Sequence, residues 1–323
     1  MTPALILFGY ALLLGYGAPA ALSRARWLQR APSLGIAAWQ SLTVSVLLAV
    51  VLGGVSLAVP GAGLSAGLAE LLRACAAAIS DLYASPAQAG VGLAGLLLAL
   101  GVLGRCGYAT AVTALGTARQ RRGHRESLAL LARPSGLDGV VVVDHDTAAA
   151  YCLPGRTARV VLTARALAAL PPQQLGAVLA HERAHLSYRH HWALAAADAA
   201  ERAFPWLPLF KAARLQVAHL AELHADDSAC HSHDRLDVAA ALITLADGAR
   251  PAGSLAAAGG STPERVRRLL RPARPLSRLV AGVGFALTMS ISVTPVLVAI
   301  TPALSVVYHD LCPVPGRGAQ PQS

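Results

Sequence analysis

His181, Glu182 and His185 stand together in "GAVLAHERAHLSYRHHW" (176–192), inside a chain otherwise dominated by Ala, Leu, Val and Gly. Residues four apart share one face of a helix, so His181 and His185 can offer two imidazole nitrogens to one metal ion, with Glu182 one step round. Two ligands and an adjacent carboxylate form a zinc-hydrolase arrangement: the metal acidifies a bound water and the carboxylate takes its proton. A catalytic zinc also needs a third protein ligand and an open position. Downstream, "AELHADD" (221–227) supplies Glu222 as that ligand, with Asp226 one turn later. Asp226 is placed to accept the second N–H of a ligating histidine and fix its tautomer. Neutral imidazoles with a carboxylate suit zinc, although iron and manganese accept the same donors.

Other histidines read differently. His190 and His191 are expected at a solvated helix end, and Cys230, His231 and His233 at a polar helix terminus. His219, His224 and Tyr188 are all candidates to donate to an oxyanion, and the sequence leaves that choice open.

These residues must be positioned by a very apolar chain. Of 323 residues 55% are hydrophobic and only 14% charged, against about a quarter charged in soluble domains. Net charge is +10, nearly all arginine, with Lys211 the only lysine. The arginines flank apolar runs, so the basicity is topological and no direct nucleic-acid binding is expected. Five cysteines (Cys75, Cys106, Cys152, Cys230, Cys312) show no CxxC and no regular spacing, which argues for free thiols.

Four segments are long and apolar enough to span a bilayer: 3–22, 34–59, 89–115 and 279–307. The first lacks a basic start and is followed at once by the second, so it reads as a retained helix. Arg24, Arg26 and Arg30 follow span one, and Arg119, Arg121, Arg122 and Arg125 follow span three. Arg265, Arg267, Arg268, Arg271, Arg274 and Arg278 precede span four, whereas the loop after span two holds only Arg73. Positive segments stay cytoplasmic, so both termini are expected outside and 117–277 inside. Arg105, in the inner half of span three, is expected to snorkel toward the cytoplasmic end.

Within 117–277, "GVVVVDHD" (139–146), "TAAAYCL" (147–153) and "ARVVLT" (158–163) read as strands of a small sheet, with 158–163 at its edge. Pro171 and Pro172 suit the first turn of the helix carrying HExxH. Helix is expected to continue from Trp192 to about Ala203, to break at "FPWLPLF" (204–210), and to resume over 211–233 and 235–247. The broken stretch either joins the core or rests on the membrane surface. "GARPAGSLAAAGGS" (248–261) reads as a loop, and "STPERVRRLL" as a helix start with Thr262 at the N-cap and Pro263 first inside.

Taken in order, "LTARALAALPPQQLGAVLAHERAHLSYRHHW", "AELHADDSA" and "STPERVRRLL" resemble the integral membrane zinc metallopeptidases of the BlaR/MecR antirepressor type. More distantly they are similar to the HtpX and CAAX-prenyl-protease group, which shares HExxH and a later ExxAD. The resemblance covers about 117–275, plus three spans before the domain and one after. It implies one zinc ion per chain with His181, His185 and Glu222 as ligands, Glu182 as general base and Asp226 as supporting carboxylate. It also implies a substrate bound as an added strand along the sheet edge, here 158–163. The best-known antirepressors carry a penicillin-sensing domain beyond the last span. Here "DLCPVPGRGAQPQS" stands in that place, so direct β-lactam sensing is not expected.

The expectation is a mainly α membrane protein: four transmembrane helices with a cytoplasmic α+β zinc metallopeptidase domain inserted between helices three and four. Its divisions are 1–116 (three spans, with an outer loop at about 60–88 that caps the bundle), 117–277 (the metallopeptidase domain) and 278–323 (the fourth span and a short outside tail). The expected activity is hydrolysis of protein or peptide substrates at the cytoplasmic face, in signalling by cleavage of a transcriptional repressor or of the chain itself. An HtpX-type quality-control protease and a non-catalytic, metal-stabilised transducer are the alternatives.

Overall fold

In chain order the helices and strands are α1 (Thr2–Ser23), α2 (Pro32–Ala58), α3 (Pro86–Leu131), β1 (Ala132–Pro134), β2 (Val140–Val143), β3 (Ala150–Leu153), β4 (Arg159–Thr163) and α4 (Ala164–Ala169). They continue with α5 (Pro172–Ser187), α6 (His190–Ala203), α7 (Pro208–Ala229), α8 (Arg235–Gly248), α9 (Thr262–Leu270) and α10 (Arg278–Leu311). This computed structural model describes residues 2–58, 86–155, 158–248, 262–271 and 276–311. The outer loop expected near 60–88 falls almost wholly outside the described residues, as do the 248–261 loop beyond Gly248, Cys75, Cys312 and the C-terminal tail.

The helices α1, α2, α3 and α10 are each long and apolar enough to cross a membrane, as a multi-pass membrane protein requires. One compact unit comprises Met1–Gly17, Val44–Arg105 and Met289–Ser323. Inside it the Tyr10 and Ser45 hydroxyls both donate to the Ile291 carbonyl oxygen, at 2.9 and 2.7 Å. Gly54 and Gly95 let α2 and α3 cross closely: a Cβ on either would meet the other's carbonyl oxygen at 2.5 Å. Small residues at such crossings are how apolar helices pack where lipid offers no hydrophobic drive.

The other unit comprises Ala18–Thr43 and Cys106–Thr288. Helix α3 does not stop near 115, where its apolar run ends. It continues to Leu131, 46 residues in all and about 70 Å at 1.5 Å per residue. The extension is built of good helix formers, is supported by an Arg122–Glu126 pair at 2.9 Å one turn apart, and meets no proline before Pro134.

The sheet order is β1-β2-β4-β3, with β2 and β4 parallel and the outer pairs antiparallel. Strand β1 was not anticipated, being only three residues of unremarkable composition. The edge expectation is corrected: residues 159–163 form an inner strand, and β1 and β3 are the edges. Val160, Val161, Leu162 and Thr163 are all buried, which accounts for their continuous apolar run.

Thr163 ends β4 and caps α4, its hydroxyl accepting from the Ala166 N–H at 3.1 Å. Helix α5 then opens with Pro172, as the two prolines predict. Its Val178 and Leu179 join Val140, Val160, Leu162, Ala166 and Ala241 in one core that seats α5 against the sheet. Helix α7 starts at Pro208, inside the stretch expected to break it, and buries Leu209, Phe210, Val217, Leu220 and Leu223. Trp206, just before it, is 63% exposed. Helix α9 begins at Thr262, one residue earlier than expected.

Candidate metal centre

The HExxH motif lies in the last two turns of α5, and Glu222 and Asp226 lie on the long helix α7, packed against it. The crossing brings two imidazole nitrogens and one carboxylate together. His181 Nε2 and His185 Nε2 are 3.2 Å apart, and Glu222 lies 3.6 Å from the first through Oε2 and 3.4 Å from the second through Oε1. Ligands about 2.0–2.1 Å from a tetrahedral zinc stand about 3.3–3.4 Å from one another. The donor set therefore fits a zinc-sized ion in both chemistry and spacing. Among the described residues this is the group of three or more donors close enough to share an ion.

Asp226 is fully buried and its Oδ1 lies 3.0 Å from His181 Nδ1. In the neutral ring that contact holds the proton on Nδ1 and leaves Nε2 as the atom that can ligate. Asp226 is in turn gripped by Arg265 of α9, whose Nε and Nη2 donate to its two oxygens at 2.8 and 2.7 Å. The same guanidinium reaches Glu222 Oε2 through Nη1 at 2.7 Å. One turn on, Arg268 donates to both oxygens of Asp227, at 2.8 and 2.7 Å, and to the Gln29 carbonyl oxygen at 2.9 Å. Two arginines that sequence reasoning counted only as topological charge thus hold the acidic helix. The signal was present: Arg265 and Arg268, one turn apart, match two adjacent aspartates.

The electrostatics follow from this packing. Burial would raise the carboxyl of Glu222, but the His181 hydrogen bond and the Arg265 charge outweigh it and hold the group down at about 2. Asp226 is likewise held at about 2, its burial overcome by Arg265 and His181. For His181 burial favours the neutral ring, yet the hydrogen bonds to Asp226 and Glu222 prevail and raise it to about 9. His185 goes the other way, to about 4, because burial dominates and the neighbouring cations add to it. Glu182 is pushed up from the ordinary carboxylate range, chiefly by burial. Burial, then the Glu182 carboxyl, drives the Cys152 thiol of edge strand β3 up to about 12, keeping it protonated beside Glu182.

A cavity of about 290 Å³ opens at this cluster. It is lined by the polar groups of His181, Glu182, Glu222 and Arg265 and by apolar residues including Ala149, Ala177 and Leu242. Ala150, which opens β3, and the two residues before it, Ala148 and Ala149, also line it.

The expectation for His190 is overturned. It is 2% exposed, not solvated. Helix does not run on from α5: the chain turns at Arg189, in the left-handed region at φ 53° and ψ 38°, and α6 restarts at His190. That reversal swings His190 back beneath the motif. Its Nδ1 lies 3.0 Å from His185 Nδ1, and its Nε2 lies 3.0 Å from His224 Nδ1. Tyr188 packs on His224 with ring centroids 4.2 Å apart. The expected polar terminus after α7 holds in part: the His231 ring lies 2.7 Å from the Asp227 carbonyl oxygen, while Cys230 is half-buried.

Residues 117–273 match the model of peptidase family M48, which supports a membrane-associated metallopeptidase in broad terms. No curated protein and no solved structure matches the chain.

Proposed function

We propose that the chain is a membrane-embedded zinc endopeptidase that hydrolyses peptide bonds of protein substrates at the cytoplasmic face, in signalling, by cutting a repressor or the chain itself. The observation that carries this reading is the meeting of His181 Nε2 and His185 Nε2, 3.2 Å apart, with the Glu222 carboxylate, whose Oε2 and Oε1 lie 3.6 and 3.4 Å from them, beside a buried Glu182. A bound zinc ion supplies Lewis acidity and an acidified water. Glu182, its carboxyl raised by burial, takes the proton from the attacking water and returns it to the departing amine. Asp226 and Arg265 keep His181 and Glu222 in place through this exchange. The substrate backbone lies along the edge of β3 that pairs with no strand among the described residues, so that the scissile bond reaches Glu182, which Cys152 of that strand faces. One flanking side chain enters the cavity beside it.

A closed structural site is the competing reading. Structural zinc is usually held by four protein ligands, whereas the cluster among the described residues offers three. The cytoplasmic placement rests on the arginines after spans one and three and before span four.

The test is proteolysis by the purified protein and by Glu182→Gln, with zinc content measured in both. The reading expects both to hold about one zinc, and only wild type to generate new protein termini in a membrane and cytosol extract. Equal cleavage by the variant would remove Glu182 from the chemistry. Zinc-dependent folding without cleavage by either would favour the structural role.

A further inference from the structure

We infer that His190 is a positioning residue for the metal ligand His185, through an ordered chain of neutral imidazoles that ends at His224. The inference rests on the metal-centre reading above and extends it to residues that HExxH and ExxAD do not specify.

The two facing nitrogens of His185 and His190 are both Nδ1, 3.0 Å apart. One must carry hydrogen and the other must not, since two N–H groups or two lone pairs at that distance repel. His185 can ligate through Nε2 only if that atom is bare, which places its proton on Nδ1. Nδ1 of His190 is then the acceptor, and the proton of His190 sits on Nε2. From there it is donated across 3.0 Å to Nδ1 of His224, the bare nitrogen of that ring. His224 in turn is protonated on Nε2. A single choice, ligation by His185, thus orders all three rings in one direction. Reversing the order would place a hydrogen on His185 Nε2, facing His181 Nε2 and Glu222 Oε1 at 3.2 and 3.4 Å.

The surroundings hold His190 in this role. It is almost wholly enclosed, at 2% exposure, so no water can substitute freely as acceptor. Arg189 in the left-handed conformation sets its entry angle into α6. The first turn of α6 is pinned by Gln40, which donates to the Ala193 carbonyl oxygen at 2.8 Å. The Tyr188 ring lies nearly parallel to that of His190, at 18° and 6.0 Å. The two ligating histidines are therefore served unequally: His181 by the carboxylate of Asp226, His185 by an imidazole.

Three substitutions separate acceptor from donor. In His190→Asn the amide oxygen falls near the position of Nδ1 and keeps the acceptor for His185. In His190→Gln the amide nitrogen falls near Nε2 and keeps only the donor toward His224. His190→Leu keeps neither. Zinc dissociation constants are measured on the full-length protein in detergent by competition with a chromophoric chelator, alongside the visible spectrum of the cobalt-substituted protein and the melting temperature without metal. The inference expects the leucine and glutamine variants to bind zinc on the order of 10–100-fold more weakly, with an altered cobalt spectrum, and the asparagine variant to stay within about threefold of wild type.

Leucine binding as tight as wild type would overturn it. So would asparagine as weak as leucine, or glutamine as tight as wild type, because either result denies the acceptor role. If the leucine variant does not fold, the asparagine–glutamine comparison decides alone. Wild type that binds no zinc would instead defeat the metal-centre reading, an outcome distinct from all of these.

Discussion

Arg265 and Asp226 meet as a two-point pair, at 2.8 and 2.7 Å, where the aspartate has no solvent exposure at all. The arginine comes from α9, the short helix that precedes the fourth apolar helix in the chain, and the aspartate supports His181. The pair therefore fixes both the acidic helix and the orientation of one imidazole in the donor cluster.

Removing Arg265 should be costly for that reason. Arg265→Ala strands a buried carboxylate and removes the guanidinium contact to Glu222. Breaking such a pair by deleting one partner costs about 3–5 kcal/mol. A large fall in melting temperature is expected, and Arg265→Lys should recover only part of it, since an ammonium cannot span both Asp226 oxygens and Glu222. Thermal unfolding in detergent measures this.

Asp226→Asn keeps the shape but removes the charge that orients His181. Zinc affinity should fall by about 10–100-fold, while α7 stays folded by circular dichroism. Unchanged affinity would show that His181 needs no carboxylate behind it.

The titrations predict opposite pH behaviour with and without zinc. In chelated protein His181 is raised from 6.5 to about 9, so its contribution is complete below 6.5 and is lost as pH rises through 9. His185 and His190, lowered from 6.5 to about 4, contribute above 6.5 and lose that contribution as pH falls toward 4. Glu222 and Asp226, held at about 2, contribute above the ordinary carboxylate range and fail only as pH approaches 2. The chelated protein should be most stable near pH 6.5 and melt at lower temperature by pH 9. Zinc keeps His181 unprotonated at Nε2, so the alkaline decline should vanish on loading. Loading near pH 7.5 should also release about one proton, measurable by calorimetry in buffers of different ionisation enthalpy.

Arg189 is held at φ 53° between α5 and α6, a conformation glycine adopts freely and β-branched residues resist. Arg189→Gly is expected to leave stability within about 0.5 kcal/mol. Arg189→Val should cost about 1–2 kcal/mol and, by tilting His190, weaken zinc binding as well.

Much of this was legible in the chain. HExxH spacing places two imidazoles and a carboxylate on adjacent positions of one helix, and ExxxD does the same for Glu222 and Asp226, because helical period alone fixes those relations. The apolar runs likewise gave four helices of membrane-crossing length, since length and hydropathy suffice for that. What pattern could not supply was the order of the sheet. Strand 159–163 carries an apolar run that fits either edge or centre, and only its parallel partner β2, distant in sequence, decides. His190 was misread because nothing in "SYRHH" announces that an arginine will adopt a left-handed turn. Arg265 reads as topological charge in the sequence because its partner Asp226 lies 39 residues away. Long-range pairing and turn conformation, rather than local propensity, account for each miss.

X-ray absorption at the zinc edge of the purified full-length protein tests the central claim most directly. The account predicts two imidazole nitrogens and oxygen donors at about 2.0–2.1 Å, with one imidazole lost in His185→Ala and an oxygen donor changed in Glu222→Gln. A sulfur scatterer at about 2.3 Å, or a spectrum indifferent to both substitutions, would place the ion elsewhere and contradict it.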